Sequence, residues 1–235
     1  MVAAVKRDLM HIFDALAVAF DHSRRRYWSE AYFLAWDSGV AVDFGCGAGR
    51  HLFLLSSFGR EVVGVDLSAK MVALALSKIR GSSAYYLVNG VQCDINFLPF
   101  RSSSISDGLC FATLHHIPSY IERLKALSEI FRSLKPFGVL IVSVWARYQR
   151  RFFSRLPIML LDRILGRCGE FGDIYVPWRT CGGVYRRFYH LFSRGEFLKL
   201  LRLSGFSLAF SYGKSFKSSW FSENHMAFCF KSSKS

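Results

Sequence analysis

Apolar residues recur with two different spacings between residues 40 and 145 of this chain. Short apolar runs alternate with stretches in which apolar positions return every three or four residues. The runs are typical of buried strands and the wider spacing of amphipathic helices. The predicted strands are 40–44, 61–66, 85–89, 107–112 and 138–145, and the predicted helices are 49–57, 69–79 and 121–134. Strands that alternate with helices form parallel sheets with right-handed crossovers, so this region predicts an α/β fold.

The two ends of the chain extend this pattern. The remaining predicted elements are a helix at 3–20, a helix at 193–203 and strands at 206–212 and 225–230. The pattern therefore predicts a single Rossmann-like domain over residues 1–235, with a helical N-terminal extension at 1–36. Its seven-stranded sheet would be mostly parallel, with helices on both faces and an antiparallel last strand.

Residues 146–187 break the alternation and are rich in arginine, with Pro157 and Pro177 among them. This segment predicts a basic insertion over the sheet edge at which ligands bind. Its first part, 151–167, has the pattern of a basic amphipathic helix. Such a helix lies on a membrane surface or packs its apolar face on the domain, and the second fate is the commoner one. No apolar run approaches the roughly 18 residues of a membrane span, and no membrane partner is expected.

The net charge of +14 favours a polyanionic partner. Positive charge is concentrated in residues 147–187, which hold nine arginines and three acids. Tyrosine, tryptophan and phenylalanine are interspersed there. This mixture favours an RNA-binding surface over an ordinary solvated basic face.

The cysteines and the N-terminus bear on the cellular compartment. The six cysteines stand singly, at positions 46, 93, 110, 168, 181 and 229. No C-x-x-C pair is present, so no metal site is predicted. A Cys168–Cys181 disulfide would need an oxidising or hyperthermophilic setting. Lys6 and Asp8 interrupt the apolar N-terminus, which is unlike a signal peptide, and a cytoplasmic protein is expected.

A glycine-rich loop at residues 43–49, D-F-G-C-G-A-G, follows the first predicted strand of the sheet. A second strand ends at Asp66, where an acid can accept hydrogen bonds from ribose hydroxyls. The loop differs from the dinucleotide pattern G-x-G-x-x-G and resembles that of S-adenosylmethionine-dependent methyltransferases. Asp43 would orient the loop or accept from the methionine ammonium, and Asp94 would accept from the adenine amino group. The predicted cofactor-binding residues are Asp43, Gly45, Cys46, Gly47, Gly49, Asp66, Leu67, Asp94, Ile95 and Phe111.

Four further stretches resemble a narrower family, the tRNA wobble-uridine carboxymethyl methyltransferases. They are 20–28 (F-D-H-S-R-R-R-Y-W), 98–101 (L-P-F-R) with 114–117 (L-H-H-I) and Arg123, 175–178 (Y-V-P-W), and 187–192 (R-F-Y-H-L-F) followed by Gly195-Glu196. The pieces L-P-F and H-H also occur in small-molecule methyltransferases. The pieces V-P-W and R-F-Y-H-L-F are much more specific, and the likeness runs from about residue 8 to the C-terminus.

The resemblance implies a class I methyltransferase fold and S-adenosylmethionine as the cofactor. It implies esterification of 5-carboxymethyluridine at position 34 of certain tRNAs. It also implies a small zinc-binding activator subunit that extends the sheet beside the third strand, here Ala84 to Val88. An exposed apolar edge strand is a liability that such a partner would cover.

The acceptor implied by this resemblance is a carboxylate, which is already ionised at neutral pH and needs no general base. A carboxylate held in one orientation calls for arginine, whose fork binds both oxygens. The predicted catalytic residues, in order of preference for the arginines, are Arg24, Arg123 and Arg187, with His116 bounding the substrate pocket. The predicted substrate- and RNA-binding residues are Trp28, Trp178, Tyr189, His190, Arg147, Arg150 and Arg151.

Two other functions stay open at this stage. The core motifs also allow a methyltransferase that acts on a small molecule, although the basic insertion and residues 187–192 argue against it. The chain is alternatively a tRNA-binding protein that is inactive without an activator subunit. The intact glycine loop and Asp66 argue against a dead cofactor site.

Overall fold

The computed structural model describes residues 2–23, 26–167, 169–180, 182–215 and 222–233. Arg24 and the Cys168–Cys181 pairing lie outside the described residues. The helices are α1 (Val2–Ser23), α2 (Arg50–Ser57), α3 (Ala69–Ile79), α4 (Tyr120–Ser133), α5 (Leu156–Ile164) and α6 (Arg194–Leu203). The strands are β1 (Ala41–Phe44), β2 (Val62–Asp66), β3 (Val88–Gln92), β4 (Ile105–Phe111), β5 (Leu134–Trp145), β6 (Asp173–Thr180), β7 (Gly183–His190), β8 (Ser207–Lys214) and β9 (Asn224–Phe230). Single 3-10 turns span Ser29–Leu34, Tyr85–Leu87, Leu114–His116 and Arg150–Arg155.

Seven strands form one sheet in the order β3-β2-β1-β4-β5-β9-β8. The first five strands of that order are parallel, and β9 runs antiparallel to both of its neighbours. This arrangement confirms the predicted seven-stranded, mostly parallel sheet with an antiparallel last strand. The crossover in strand order beside β1 opens a crevice at the carboxyl ends of the strands, where α/β proteins bind ligands.

Both faces of the sheet are covered by helices. Successive residues of β4 point to opposite faces, so Leu109 packs with α2 and α3 while Cys110 packs with α4 and α6. Burial on both faces explains why the strands appear in the sequence as nearly continuous apolar runs. None of the described helices combines the length and apolar content that a membrane span requires.

The third strand lies three residues later than predicted. Residues 85–89 were expected to be extended, but Tyr85–Leu87 forms a 3-10 turn and the strand is Val88–Gln92. Tyr85 and Tyr86 are exposed on that turn. The β-favouring aromatic residues therefore mark the approach to the edge strand rather than the strand itself.

The basic insertion contains structure that the sequence pattern did not predict. Strands β6 and β7 form an antiparallel hairpin that is separate from the large sheet. In β6, Ile174 and Val176 are buried while Tyr175 and Pro177 are exposed, which is the alternation of a half-buried strand. Helix α5 is shorter than the predicted 151–167 because residues 150–155 form a 3-10 turn.

Candidate functional site

A cavity of about 600 Å³ lies at the carboxyl ends of the central strands. Its floor includes the glycine loop after β1, Asp66 at the end of β2 and Phe111 at the end of β4. Phe13 and Phe20 of α1 line the opposite wall. The leading helix thus packs over the crevice and contributes side chains to the cavity.

The glycine loop requires glycine at two positions for different reasons. Gly45 has φ +82°, and a Cβ there would lie 2.1 Å from the hydroxyl oxygen of Thr113. Gly49 has φ +78°, and a Cβ would lie 2.6 Å from the Cβ of Ala75, where α2 packs against α3. Gly45 lines the cavity, whereas Gly49 does not. Gly49 therefore affects the site through the conformation of the loop rather than by lining the cavity.

Asp66 lines the cavity next to this loop. Its Oδ2 accepts from the backbone N–H of Gly47 at 2.9 Å, and its Oδ1 accepts from that of Ser68 at 2.9 Å. Burial nevertheless raises its pKa to about 6, and the nearby charges of Asp43 and Asp14 add to the rise. Each carboxylate oxygen keeps a second lone pair for a ligand donor such as a ribose hydroxyl.

Asp43 lies beneath the loop and does not line the cavity. Its Oδ2 is 3.5 Å from Nδ1 of His51, a residue of α2 that does line the cavity. Burial lowers the pKa of His51, although the nearby carboxylate of Asp43 acts in the opposite direction, and the neutral imidazole is thereby favoured. Of the two roles predicted for Asp43, this position favours orienting the loop and His51.

Cys46 lines the cavity from within the glycine loop. Burial raises the pKa of its thiol well above the usual range, and the charges of Asp66 and Asp43 act in the same direction. Because the thiolate is the reactive form of cysteine, Cys46 has no nucleophilic role at neutral pH.

Asp94 lines the cavity, but it is held in an ion pair that the sequence did not predict. Its Oδ2 accepts from Nζ of Lys6 at 2.8 Å, and Lys6 also contacts Glu122 at 2.7 Å. Its Oδ1 accepts from the backbone N–H of Asn96 at 3.0 Å. Lys6 belongs to α1, so this contact fastens the leading helix to the predicted adenine end of the cavity.

The other predicted cofactor contacts are apolar. Leu67, Ile95 and Phe111 all line the cavity. Trp28, predicted to bind substrate, stacks on Phe111 with ring centroids 5.1 Å apart and lines the cavity from the same side. These apolar walls suit a purine ring better than a hydrated ion.

The residues present fit S-adenosylmethionine on two grounds. The carboxylate of Asp66 faces the cavity with a raised pKa, and each of its oxygens accepts one backbone hydrogen bond, which leaves a lone pair on each oxygen for the two ribose hydroxyls. The apolar side chains of Leu67, Ile95 and Phe111 also line the cavity, and apolar walls with a few polar groups suit the adenine ring of this cofactor.

A second half of the cavity lies beyond β4, where three rings form a stack. The Tyr189 ring is stacked on His115 at 5.1 Å and on Trp145 at 4.3 Å. Arg151 lies over Trp145, with its guanidinium carbon 4.5 Å from the ring centroid. All four residues line the cavity. We call this set the acceptor wall.

His116 lines the cavity, whereas Trp178, predicted to bind substrate, does not line it and packs against Phe20, a residue that does. The Nδ1 of His116 is 3.0 Å from the backbone oxygen of Phe188, and its ring is 5.1 Å from Phe13. Trp178 contacts Phe20 at 5.8 Å, and the guanidinium of Arg187 stacks over Trp178 at 4.5 Å. Arg187 is buried and does not line the cavity, so the structure places it behind the aromatic residues rather than at a bound acceptor.

A buried ionic network contains three of the residues predicted for catalysis or substrate binding. Arg123 is fully buried and pairs with Glu170. His190 lies between Asp173 at 2.7 Å and Glu196 at 2.6 Å. Arg147 pairs with the second oxygen of Glu196 at 2.6 Å.

The network fastens the β6–β7 hairpin to α4 and α6. None of Arg123, Arg147 and His190 lines the cavity. Burial penalises the charged form of Glu196, but the hydrogen bond from His190 and the charges of both arginines outweigh it and lower the pKa. The structure therefore does not bring these three predicted site residues to the site, because each is already paired in the interior.

The arginines that line the cavity, among the described residues, are Arg26, Arg50 and Arg151. Of these only Arg151 was among the predicted substrate contacts, and its neighbour Arg150 is exposed away from the lining. His51 and Trp145 were missed. Trp145 ends β5 at the same sheet edge as Asp66, and this position in the predicted topology is the signal that would have found it.

Asp66→Ala is expected to weaken S-adenosylmethionine binding by about tenfold to a hundredfold, because a charged acceptor for two hydrogen bonds is lost. Isothermal calorimetry measures this directly. Glu61→Ala is the matched control, since Glu61 is an exposed acid at the opposite end of β2. Normal affinity in Asp66→Ala would exclude the ribose assignment.

The raised pKa of Asp66 predicts opposite pH effects on binding and on stability. Below pH 6 the carboxyl takes a proton and becomes a poorer acceptor, so cofactor affinity should fall. The pKa of this carboxyl in the folded protein exceeds its value of about 4 in the unfolded chain. Ionisation of Asp66 therefore lowers the free energy of unfolding above pH 6, whereas below about pH 4 the group is neutral in both states and has no such effect. The cofactor-free protein should therefore gain stability through this group on acidification. Asp66→Asn should abolish both dependences in calorimetry and thermal unfolding; a wild-type pH profile in that variant would contradict the assignment.

Residues 42–142 match a family model described as a methyltransferase domain. A tRNA (carboxymethyluridine(34)-5-O)-methyltransferase from Schizosaccharomyces pombe is 28% identical over 225 residues, covering 84% of this chain and 87% of that protein. A protein of the same name from Arabidopsis thaliana is 30% identical over 147 residues, covering 61% of this chain and 34% of the relative. The chain thus spans about a third of the length of the plant relative and most of the yeast one.

Among solved structures, a SAM-dependent methyltransferase from Methanosarcina mazei superposes with a TM-score of 0.73 at 21% identity, covering 88% of this chain and 98% of that one. This likeness confirms the predicted class I fold. Together with the matched domain, it confirms S-adenosylmethionine as the cofactor. The names of the sequence relatives are those of the family that the motifs resemble.

Proposed function

We propose that this chain, an S-adenosylmethionine-dependent methyltransferase of class I, esterifies the carboxylate of 5-carboxymethyluridine at position 34 of tRNA. The yeast relative with this activity in its name matches along nearly its whole length. The net charge of +14 supports an RNA substrate. Neither the sequence match nor the net charge specifies which group is methylated, and the chemistry of the acceptor wall is the more specific support.

The acceptor wall is suited to a flat ring that bears a carboxylate. Three stacked rings, those of His115, Tyr189 and Trp145, form an aromatic wall beside the cofactor half of the cavity, and Trp145, which is partly exposed while the other two are each 1% exposed, offers a base the most surface. Bases that are splayed out of an RNA stack on such surfaces. The guanidinium of Arg151 over Trp145 supplies a cation next to that surface. The juxtaposition of stacked rings and one guanidinium is the observation on which the proposal rests.

The reaction needs orientation more than acid–base catalysis. Bound S-adenosylmethionine supplies an electrophilic methyl group. A carboxylate acceptor, with an ordinary pKa near 4, is ionised at neutral pH and needs no residue to remove a proton. The work of the chain is to hold the carboxylate in line, to stack the base and to exclude water. An arginine fork holds the carboxylate. The aromatic residues of the acceptor wall stack on the base and exclude water.

Two arginines are candidates for binding the carboxylate. Arg24, the first choice from the sequence, follows α1, whose residues Phe13 and Phe20 line the cavity. Arg151 lines the acceptor half itself. Too many cations would weaken the nucleophile, so we assign bidentate binding to one of them and phosphate or base contacts to the other.

A partner subunit is part of this proposal. Strand β3 is an edge of the large sheet, and the exposed aromatic residues Tyr85, Tyr86 and Phe97 lie on the segments that flank it. An unpaired edge with apolar neighbours suits a protein that adds a strand. The family resemblance supplies the candidate, a small zinc-binding activator.

The deciding experiment is methyl transfer from labelled S-adenosylmethionine to tRNA that carries 5-carboxymethyluridine, with and without the activator. Nucleoside mass spectrometry should find a labelled ester at position 34 that mild alkali removes. A tRNA with unmodified uridine at that position is the matched control. Transfer to neither RNA, with cofactor binding intact, would move the function to a small-molecule acceptor.

A further inference from the structure

Helix α5 presents an unusual amount of apolar side chain to solvent. Ile158, Leu160, Leu161, Ile164 and Leu165 are each more than half exposed, and Ile164 reaches 72%. Single exposed apolar residues are ordinary on protein surfaces, but a contiguous set marks an interaction site. The sequence pattern favoured packing of this face on the domain, and the structure shows instead that it points outward.

The exposed residues occupy one continuous side of the helix. At about 100° per residue, Leu160, Ile164, Leu161, Leu165 and Ile158 fall within an arc of about 160°. Met159 falls on the opposite side and is buried against Phe152 and the hairpin residue Ile174. The helix is therefore anchored through Met159 and turns its whole aliphatic arc away from the body. We call this arc the outer face of α5.

Positive charge surrounds the outer face. Arg155 precedes the helix, Arg163 lies within it and Arg167 follows it, and all three are exposed. The helix has a single acid, Asp162, which faces Arg167 at 3.8 Å. Aliphatic residues with arginines at their borders are the pattern of helices that lie in the headgroup region of anionic bilayers.

We propose that the outer face of α5 docks on the surface of an anionic lipid bilayer, with its aliphatic residues among the acyl chains and its arginines at the phosphates. The arginine stems can lie along apolar surface while their guanidinium groups stay with the headgroups. RNA accounts for the arginines but not for five exposed aliphatic side chains, since bases stack on aromatic rings and phosphates bind cations. The positive charge around the helix and the net charge of +14 complement an anionic surface rather than a second copy of this basic chain.

The test is flotation of the full chain with phosphatidylcholine vesicles that contain about 30% phosphatidylserine, a typical anionic surface. Wild-type protein should float with these vesicles and should bind pure phosphatidylcholine at least about tenfold more weakly. The double variant Leu161→Ser/Ile164→Ser should lose at least about tenfold in partitioning. Arg155→Glu/Arg163→Glu should lose binding to the anionic vesicles by a similar factor.

A matched control variant distinguishes binding through the outer face of α5 from non-specific hydrophobic binding to vesicles. Ile121 of α4 and Leu203 of α6 are also more than half exposed but lie on other helices. Ile121→Ser/Leu203→Ser should partition like the wild type. Every variant should keep wild-type affinity for S-adenosylmethionine, because none of the changed residues lines the cavity.

Three results would overturn the proposal. One is the absence of flotation with any vesicle; another is equal loss in the control variant. The third is concentration-dependent dimerisation in light scattering that Leu161→Ser/Ile164→Ser abolishes, which would assign the outer face to a second copy of the chain. None of these measurements uses the tRNA substrate, so they test the membrane proposal independently of the proposed function.

Discussion

Arg24→Ala is expected to lower the rate of methyl transfer to tRNA by about a hundredfold or more while leaving S-adenosylmethionine affinity near that of the wild type. The planar guanidinium would hold both oxygens of the acceptor, and without it the carboxylate would rotate away from the line of attack. We assign cofactor binding to Asp66 and the glycine loop, which line the cavity, so the affinity for S-adenosylmethionine should change little. Single-turnover transfer to an anticodon stem-loop and calorimetry with S-adenosylmethionine measure the two quantities separately.

Two companion variants make the result specific. Arg24→Lys keeps the charge but lacks the fork, so it should recover little of the rate. Arg151→Ala tests the arginine of the acceptor wall under the same conditions. If Arg24→Ala turns over normally and Arg151→Ala does not, the carboxylate contact belongs to Arg151.

Arg123→Ala is expected to lower the free energy of unfolding by about 3 kcal/mol. Arg123 is 0% exposed, and it donates to Glu170 and, at 3.0 Å, to the backbone oxygen of Ile117. Its loss leaves a buried void and removes the charge that pairs with Glu170. The Glu170 side chain is 28% exposed and regains some water, which keeps the expected loss at the lower end for broken buried pairs.

Denaturant unfolding of Arg132→Ala provides the comparison on the same helix. Arg132 also pairs with a glutamate, Glu129, but its side chain is 35% exposed. Exposed pairs of this kind contribute less than about 1 kcal/mol. A fully stable Arg123→Ala protein that had lost methyl transfer would reverse our assignment and restore the catalytic role that the sequence predicted.

The sequence alone was sufficient to predict the number and order of most strands and helices around the sheet, and it identified a glycine loop and a strand-end acid that the structure places at the cavity. Local spacing reports which side of an element is buried, and that is enough to order alternating strands and helices. Gly45 and Asp66 were identifiable because a tight turn and a strand-end acid are local requirements with a fixed separation. The hairpin was missed although β6 alternates buried and exposed residues, since its arginines and Pro177 were interpreted as features of a loop.

Which arginines face the cavity was decided only by the tertiary structure. Arg123, Arg147 and Arg151 are chemically alike in the sequence, but the first two pair with glutamates from distant segments while the third reaches the acceptor wall. Tertiary contacts also place His51 beside Asp43 and Lys6 beside Asp94 at the site, and neither pair was predicted from the sequence. The outward orientation of the other face of α5 likewise depends on the packing of Met159 and Leu156 against the cluster that contains the hairpin residue Ile174. The spacing of apolar residues along a chain shows which side of each helix or strand is buried. Which charged residues form ion pairs, and which way a helix is oriented on the domain, depend instead on which elements come together in the tertiary structure.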